Sequence, residues 1–159
     1  RVKQAAGELV NQYPRSQFSS LGALLAATTL QTAGDAKSAE AQLNWVADNG
    51  KEALRGVARL RLAGMQLDQN DFDGALKTLS ETPPPGFAAR YDAARGDVYA
   101  AQGKITEARA SYDAALKNLE VTGKDVTANS EFAGSEPGQL LRRLVQEKRD
   151  ALTVASAGK

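Results

Sequence analysis

The stretch ARYDAARGDVYAAQGKITEARASYDAALKNLE, Ala89 to Glu120, decides the fold. Gly96 and Tyr99 stand with two residues between them, Gly103 breaks the run, and Ala108, Tyr112, Ala115 and Leu116 follow. The steps from Ala108 through Tyr112, Ala115, Leu116 and Leu119 are four, three, one and three. One face of a helix holds all five, and no strand could. Gly96 is small enough for a facing helix to approach, Gly103 can take the positive φ that ends a helix, and Ala108 leaves room where two helices cross. Tyr112 and Leu116 fill the space beside them. The stretch predicts a helix, a turn and a second helix.

The same spacing recurs upstream. A second unit begins near Gly56, with Leu62 and Ala63, a turn at Asn70-Asp71, then Phe72, Ala75 and Leu79. Pro83, Pro84 and Pro85 cut its second helix short. Another begins near Ser20, with Ala26, Ala27 and Leu30, a turn at Gly34-Asp35, then Ala39, Leu43 and Val46, and Asn49-Gly50 end it as a loop. From Leu54 onward Val57, Ala58, Leu60, Leu62, Met65 and Leu67 form a broad apolar stripe, which suits a helix sandwiched between neighbours.

The flanks complete the plan. Val2 to Gln12 predicts a short helix closed by Tyr13-Pro14 and docked on the first pair. Val121 to Glu136, with two glycines, Thr, Asn and Ser and few large apolar residues, predicts a loop. Pro137 suits a first helical turn, and Leu140, Leu141, Leu144, Val145 and Leu152 form the stripe of a last helix over about 137–155 that caps the stack. The expected architecture is all-α: a single domain over 1–159, with helix pairs at about 20–55, 56–88 and 89–120 and a flanking helix at each end. Seven to nine helices and no sheet follow.

Composition agrees and narrows the function. A length of 159 residues suits one domain. Only 6% of residues are aromatic and Met65 is the sole methionine, so alanine and leucine must do the packing, as in closely spaced helices. The net charge is +1, and such a molecule generates no field that would recruit nucleic acid. Neither cysteine nor histidine occurs, which removes thiolates, disulfides, the commonest general base and the commonest metal ligand. No enzyme, no cofactor and no metal is the expectation. The most apolar stretch, Leu21 to Leu30, is far shorter than the ~20 residues that cross a bilayer. Because the chain starts at Arg1 rather than methionine, an excised or processed piece is expected.

Residues that could carry chemistry have plainer explanations. Lys37 and Ser38 are adjacent, point about 100° apart on a helix, and cannot form a nucleophilic dyad by themselves. Asn70, Asp71 and Asp73 resemble the start of a calcium loop but lack its later glycine and closing glutamate, so helix capping is predicted. Arg55, Arg59 and Arg61, and Arg142, Arg143, Lys148 and Arg149, predict solvated helix faces, with no interleaved aromatics to stack bases.

The glycine-tyrosine and alanine-aromatic pairs resemble the tetratricopeptide repeat, and starts at 20, 56 and 89 are 36 and 33 residues apart, near its period of ~34. Asp92 and Arg95 depart from it, standing where a tryptophan and a leucine are usual. The resemblance implies an α-solenoid whose concave face is lined by the first helix of each pair. That would gather Thr28, Gln31 and Thr32 with Leu60, Gly64, Leu67 and Asp68, and with Arg90, Ala93 and Asp97. Thr28, Gln31, Leu60, Leu67, Asp68, Arg90 and Asp97 are the expected partner-binding residues. Arg90 and Asp97, seven residues apart, are expected to face the groove and to be free for a ligand. The alternative is that the terminal helix fills the groove.

Leu60 to Ala63, the run Asp73-Gly74-Ala75-Leu76-Lys77-Thr78-Leu79, Arg95-Gly96-Asp97 and Gly103 resemble the YfgM family, the bacterial ancillary subunits of the SecYEG translocon. The resemblance covers roughly Phe18 to Leu119. It implies a periplasmic tetratricopeptide-like domain whose N-terminal membrane anchor lies outside this chain, at the periplasmic face of the inner membrane. The partners it implies are the translocon, a membrane-anchored prolyl-isomerase-like chaperone and unfolded client proteins. A tetratricopeptide scaffold or lipoprotein of outer-membrane assembly would share the fold and is the alternative.

Overall fold

The computed structural model describes residues 1–127 and 136–157. Among them lie eight α-helices and no strand: α1 Val2–Gln12, α2 Gln17–Thr32, α3 Ala36–Asn49, α4 Glu52–Asp68, α5 Phe72–Ser80, α6 Ala88–Ala101, α7 Ile105–Thr127 and α8 Glu136–Ala157. The all-α expectation and the count of seven to nine helices hold for these residues.

Three turns of one construction explain the repeat. Gly34, Asn70 and Gly103 each sit in the left-handed region, at φ of 80°, 60° and 73°. Each donates its N–H to a carbonyl three residues back, on Gln31, Leu67 and Ala100, at 3.0, 2.9 and 3.0 Å. The next residue, Asp35, Asp71 or Lys104, donates to Leu30, Gln66 or Tyr99 at 2.9, 2.8 and 2.9 Å. These are Schellman closures, which satisfy the last carbonyls of a helix and reverse the chain. The residue after the reversal then starts the next helix. Asp35 accepts from the Ser38 N–H at 3.1 Å and Asp71 from the Gly74 N–H at 3.0 Å. The capping expectation for Asp71 is met. Hydrogen bonds from Ser38, side chain first and then backbone, hold the Asp35 carboxyl below its ordinary value.

Contacts gather the chain into two compact units, Arg1–Pro85 and Gly86–Lys159. In the first, Ala23, Leu24, Ala26, Ala27 and Leu30 of α2 are buried against Ala39, Leu43, Val46 and Ala47 of α3 and Ala58, Leu62 and Met65 of α4. The preponderance of alanine lets these axes approach closely. Helix α1 docks on α2 as expected: Ala6 is buried, and the Ser19 hydroxyl lies 2.6 Å from the Tyr13 carbonyl and 3.1 Å from that of Leu9. Lys3 on α1 also donates to the Ser38 hydroxyl of α3 at 2.8 Å. Helix α5 ends at Ser80, just before the three prolines.

The second unit is built on Ala93, Ala108, Tyr112, Ala115, Leu116 and Val145. Two expectations need correcting here. Helix α7 continues to Thr127, so residues 121–127 are helical rather than loop. No proline interrupts them, an interior glycine such as Gly123 costs only ~1 kcal/mol, and extending an existing helix adds one hydrogen bond per residue. The rest of the expected loop, 128–135, lies outside the described residues. On α8, Leu141, Val145 and Leu152 face the core, but Leu140 and Leu144 are exposed. They stand one position before Leu141 and Val145, and are thereby turned about 100° toward solvent.

Candidate functional site: a cleft between α2 and α4

Arg61, Gly64, Met65 and Asp68 follow one another at steps of three, one and three, so one face of α4 carries all four. That face lies across from Ala27, Thr28 and Gln31 of α2, with Leu43 of α3 between, and the eight residues line a cleft of about 370 Å³. Its floor is apolar: Ala27, Leu43 and Met65 are buried. Its rim is polar, since Thr28, Gln31, Arg61 and Asp68 are exposed. No atom comes within 4 Å of where a Cβ on Gly64 would stand, so the missing side chain keeps the cleft wide. Arg61 Nη1 donates to Thr28 Oγ1 at 2.9 Å and to the Leu24 carbonyl at 3.2 Å, tying α4 to α2 along one edge. Such a surface can seat an aliphatic side chain on its floor and hydrogen-bond a flanking backbone at its rim.

Three of the expected binding residues, Thr28, Gln31 and Asp68, come together here, with Gly64. Leu60 and Leu67 do not line this cleft. They are half-buried and lie about 100° round α4 from its centre line, the broad stripe having concealed which side faces the opening. Arg90 is exposed in the first turn of α6, its guanidinium 5.7 Å from the centre of the Phe87 ring.

Asp97 corrects the expectation of a free carboxylate. It accepts from the Tyr112 hydroxyl at 2.8 Å, and Lys148 Nζ on α8 approaches its two oxygens at 2.7 and 2.8 Å. Within this unit the alternative of a terminal helix covering the groove residue applies to Asp97. A half-buried carboxylate between helices is poorly hydrated and is stabilised by a cation delivered on the covering helix. Burial first, and then the Asp97 carboxylate, push the Tyr112 phenol well above its ordinary value.

The two departures from the repeat pattern explain each other. Asp92 is 6% exposed and pairs with Arg95 one turn along α6, while Asn118 of α7 donates to its other oxygen at 2.6 Å. A polar bridge between α6 and α7 thus replaces the apolar pair usual at these positions. Arg61 and Lys148 were missed as site residues because each sat inside a run of basic residues. For Arg61 the signal was its helical spacing to Gly64, Met65 and Asp68. For Lys148 none was available, since its partner lies 51 residues away.

Among the described residues no group of three or more acidic side chains is placed to hold a metal ion, and no helix is long and apolar enough to cross a membrane.

Comparison with known proteins gives this geometry its relatives. Ancillary SecYEG translocon subunits of Neisseria gonorrhoeae and Escherichia coli are 36% and 31% identical to the chain over 119 and 105 residues, 74% and 65% of its length. That of Haemophilus influenzae is 33% identical over 85 residues, or 53%. The chain spans 57%, 51% and 42% of these three proteins. No solved structure matches. The resemblance to these subunits, read from Leu60 to Ala63, Asp73 to Leu79 and Arg95 to Gly103, is borne out. A family model described as a tetratricopeptide repeat-like domain matches residues 1–154, the span that holds all three Schellman turns, and the chain belongs to that family.

Proposed function

We propose that this chain is a protein-binding domain of a translocon-associated subunit, which holds secreted client proteins or hands them on together with a partner chaperone. The observation that carries the reading is the cleft between α2 and α4, with its buried apolar floor and exposed polar rim, in a chain whose relatives are named as translocon subunits. Those names support this reading over an outer-membrane scaffold. The periplasmic face of the inner membrane is the location that fits such a role. Binding rather than catalysis fits the groups present: the rim supplies a hydroxyl, an amide, a guanidinium and a carboxylate that can orient a segment. In the second unit Tyr112, Asp97 and Lys148 are engaged with one another.

Biolayer interferometry of the chain against SecYEG in nanodiscs tests this, with an unfolded secretory protein as the second analyte. Replacing Gln31 and Asp68 together by alanine should weaken capture about tenfold, the equivalent of ~1.4 kcal/mol. The helicity should stay intact, because both side chains are exposed. Replacing Asp73 and Lys77, exposed residues of α5 outside the cleft, should change nothing. Equal losses in both variants would remove the cleft from the proposal, and absence of binding by the unaltered chain to either analyte would remove the proposal itself.

A further inference from the structure

Arg55 and Arg59, expected from the sequence to lie on a solvated basic face, instead line a pocket of about 320 Å³ in the first unit. Glu52 of α4, Glu81 and the strap of residues 82–85, which includes the three consecutive prolines, complete its walls. The pocket lies on roughly the opposite side of α4 from Arg61, Gly64 and Asp68, since each residue turns the helix by about 100°. It is separate from the cleft and does not depend on the translocon reading.

Two observations mark it as unfinished. The Nε of Arg55 is shut off from solvent and has no hydrogen-bond partner. A buried charged donor without an acceptor weakens the fold, and an acceptor supplied by a ligand would restore what is lost. Arg59 is the second: its side chain is 17% exposed, yet its Nη2 stands 3.7 Å from a Glu81 carboxylate that is itself 62% exposed. That distance is too long for a hydrogen bond, so Glu81 can leave at little cost. The prolines have no N–H and cannot serve an anion, while they do offer an apolar wall. Guanidinium forks match the two oxygens of a carboxylate. The volume is that of roughly ten waters, which suits a side chain with its neighbouring backbone better than a lone ion.

We propose that Arg55 and Arg59, beneath the strap of residues 82–85, form a site for a carboxylate borne on a segment of a partner protein. The incoming carboxylate replaces Glu81 at Arg59, and the Arg55 side chain turns to bring its covered Nε–H to the same carboxylate.

The test follows the arginine Nε–H resonances of the ¹⁵N-labelled chain by NMR. Four additions are compared at matched ionic strength: a glutamate tripeptide blocked at both ends, triglycine with a free carboxyl end, sodium phosphate and sodium chloride. The Arg55 resonance should shift saturably with one or both peptides, and whichever acts identifies a side-chain or a chain-terminal carboxylate as the source. Arg55→Met should abolish the saturable shift of the Arg59 Nε–H resonance while leaving Tm unchanged or raised, because it removes an unpartnered buried donor. Arg59→Lys, which keeps the charge but loses the fork, should weaken peptide binding about tenfold. Shifts no larger than those with chloride, tighter binding of phosphate than of both peptides, or a fall in Tm for Arg55→Met as large as for Leu43→Ala would overturn the proposal.

Discussion

Two glycines on successive first helices of the repeats separate what a missing side chain does. A Cβ on Gly96 would stand 2.4 Å from the Tyr112 ring, whereas one on Gly64 meets nothing within 4 Å. Glycine to alanine in an open helix interior gains roughly 0.5–1 kcal/mol, while overpacking a tight contact costs roughly 1–3 kcal/mol. Urea unfolding should therefore show Gly64→Ala more stable and Gly96→Ala less stable than the parent, with Gly96→Leu worse still. Equal signs would mean that the ring moves aside freely. It is held against such movement by burial and by its hydroxyl bond to Asp97. The same tyrosine sets a pH dependence. Its folded pKa lies above the unfolded value of about 10, so its contribution is complete below pH ~10 and is lost as pH rises beyond that. Tyr112→Phe should cost about 0.5–1.5 kcal/mol at neutral pH and flatten the decline in stability above pH 10, measured by denaturant midpoints across the alkaline range.

At the scale of elements, helix α8 poses the question of what holds it down. Val145 is 1% exposed in the second core, flanked by half-buried Leu141 and Leu152. Its ion pairs, Lys148 with Asp97, Arg149 with Asp113 and Arg142 with Glu120, are all partly open to water. Exposed pairs contribute about 0–1 kcal/mol and weaken with salt, whereas removing two buried methyl groups costs roughly 2 kcal/mol once the cavity is included. Val145→Ala should thus lower stability more than Lys148→Met, and only the latter deficit should shrink in 0.5 M salt. A larger loss for Lys148→Met would show that the carboxylate of Asp97, once unpaired, governs the docking. The signals that bound the elements were local and readable: Pro14 after α1, Pro83 after α5, Pro137 in the first turn of α8, and the glycine or asparagine at each reversal. The extension of α7 to Thr127 was not, because Gly123 and the polar residues around it also suit a loop, and helix propagation from a long preceding segment decides between them.

Across the whole molecule, the repeat was legible because it is a local property repeated. The left-handed residues Gly34, Asn70 and Gly103 are spaced by 36 and 33 residues, the same intervals read from the unit starts at 20, 56 and 89. Helical periodicity, reversal residues and alanine-rich seams act over fewer than ten residues each, so the amino-acid order by itself determined an all-α chain of tetratricopeptide-like pairs. The cleft was half legible. Thr28, Gln31 and Asp68 were placed by helical phase, but the stripe on α4 was broad enough to favour Leu60 and Leu67 over Arg61, its true rim. Only the tertiary structure decided the partners of charged side chains. Arg61 with Thr28, Asp97 with Lys148, Asp92 with Asn118 and the unpartnered Nε of Arg55 depend on which helices adjoin and at what distance. Electrostatic and hydrogen-bond energies change over an ångström or two, whereas helical phase fixes a side chain's direction only to within tens of degrees. That difference in range is why the repeat could be read along the chain and the pairing had to be seen in space.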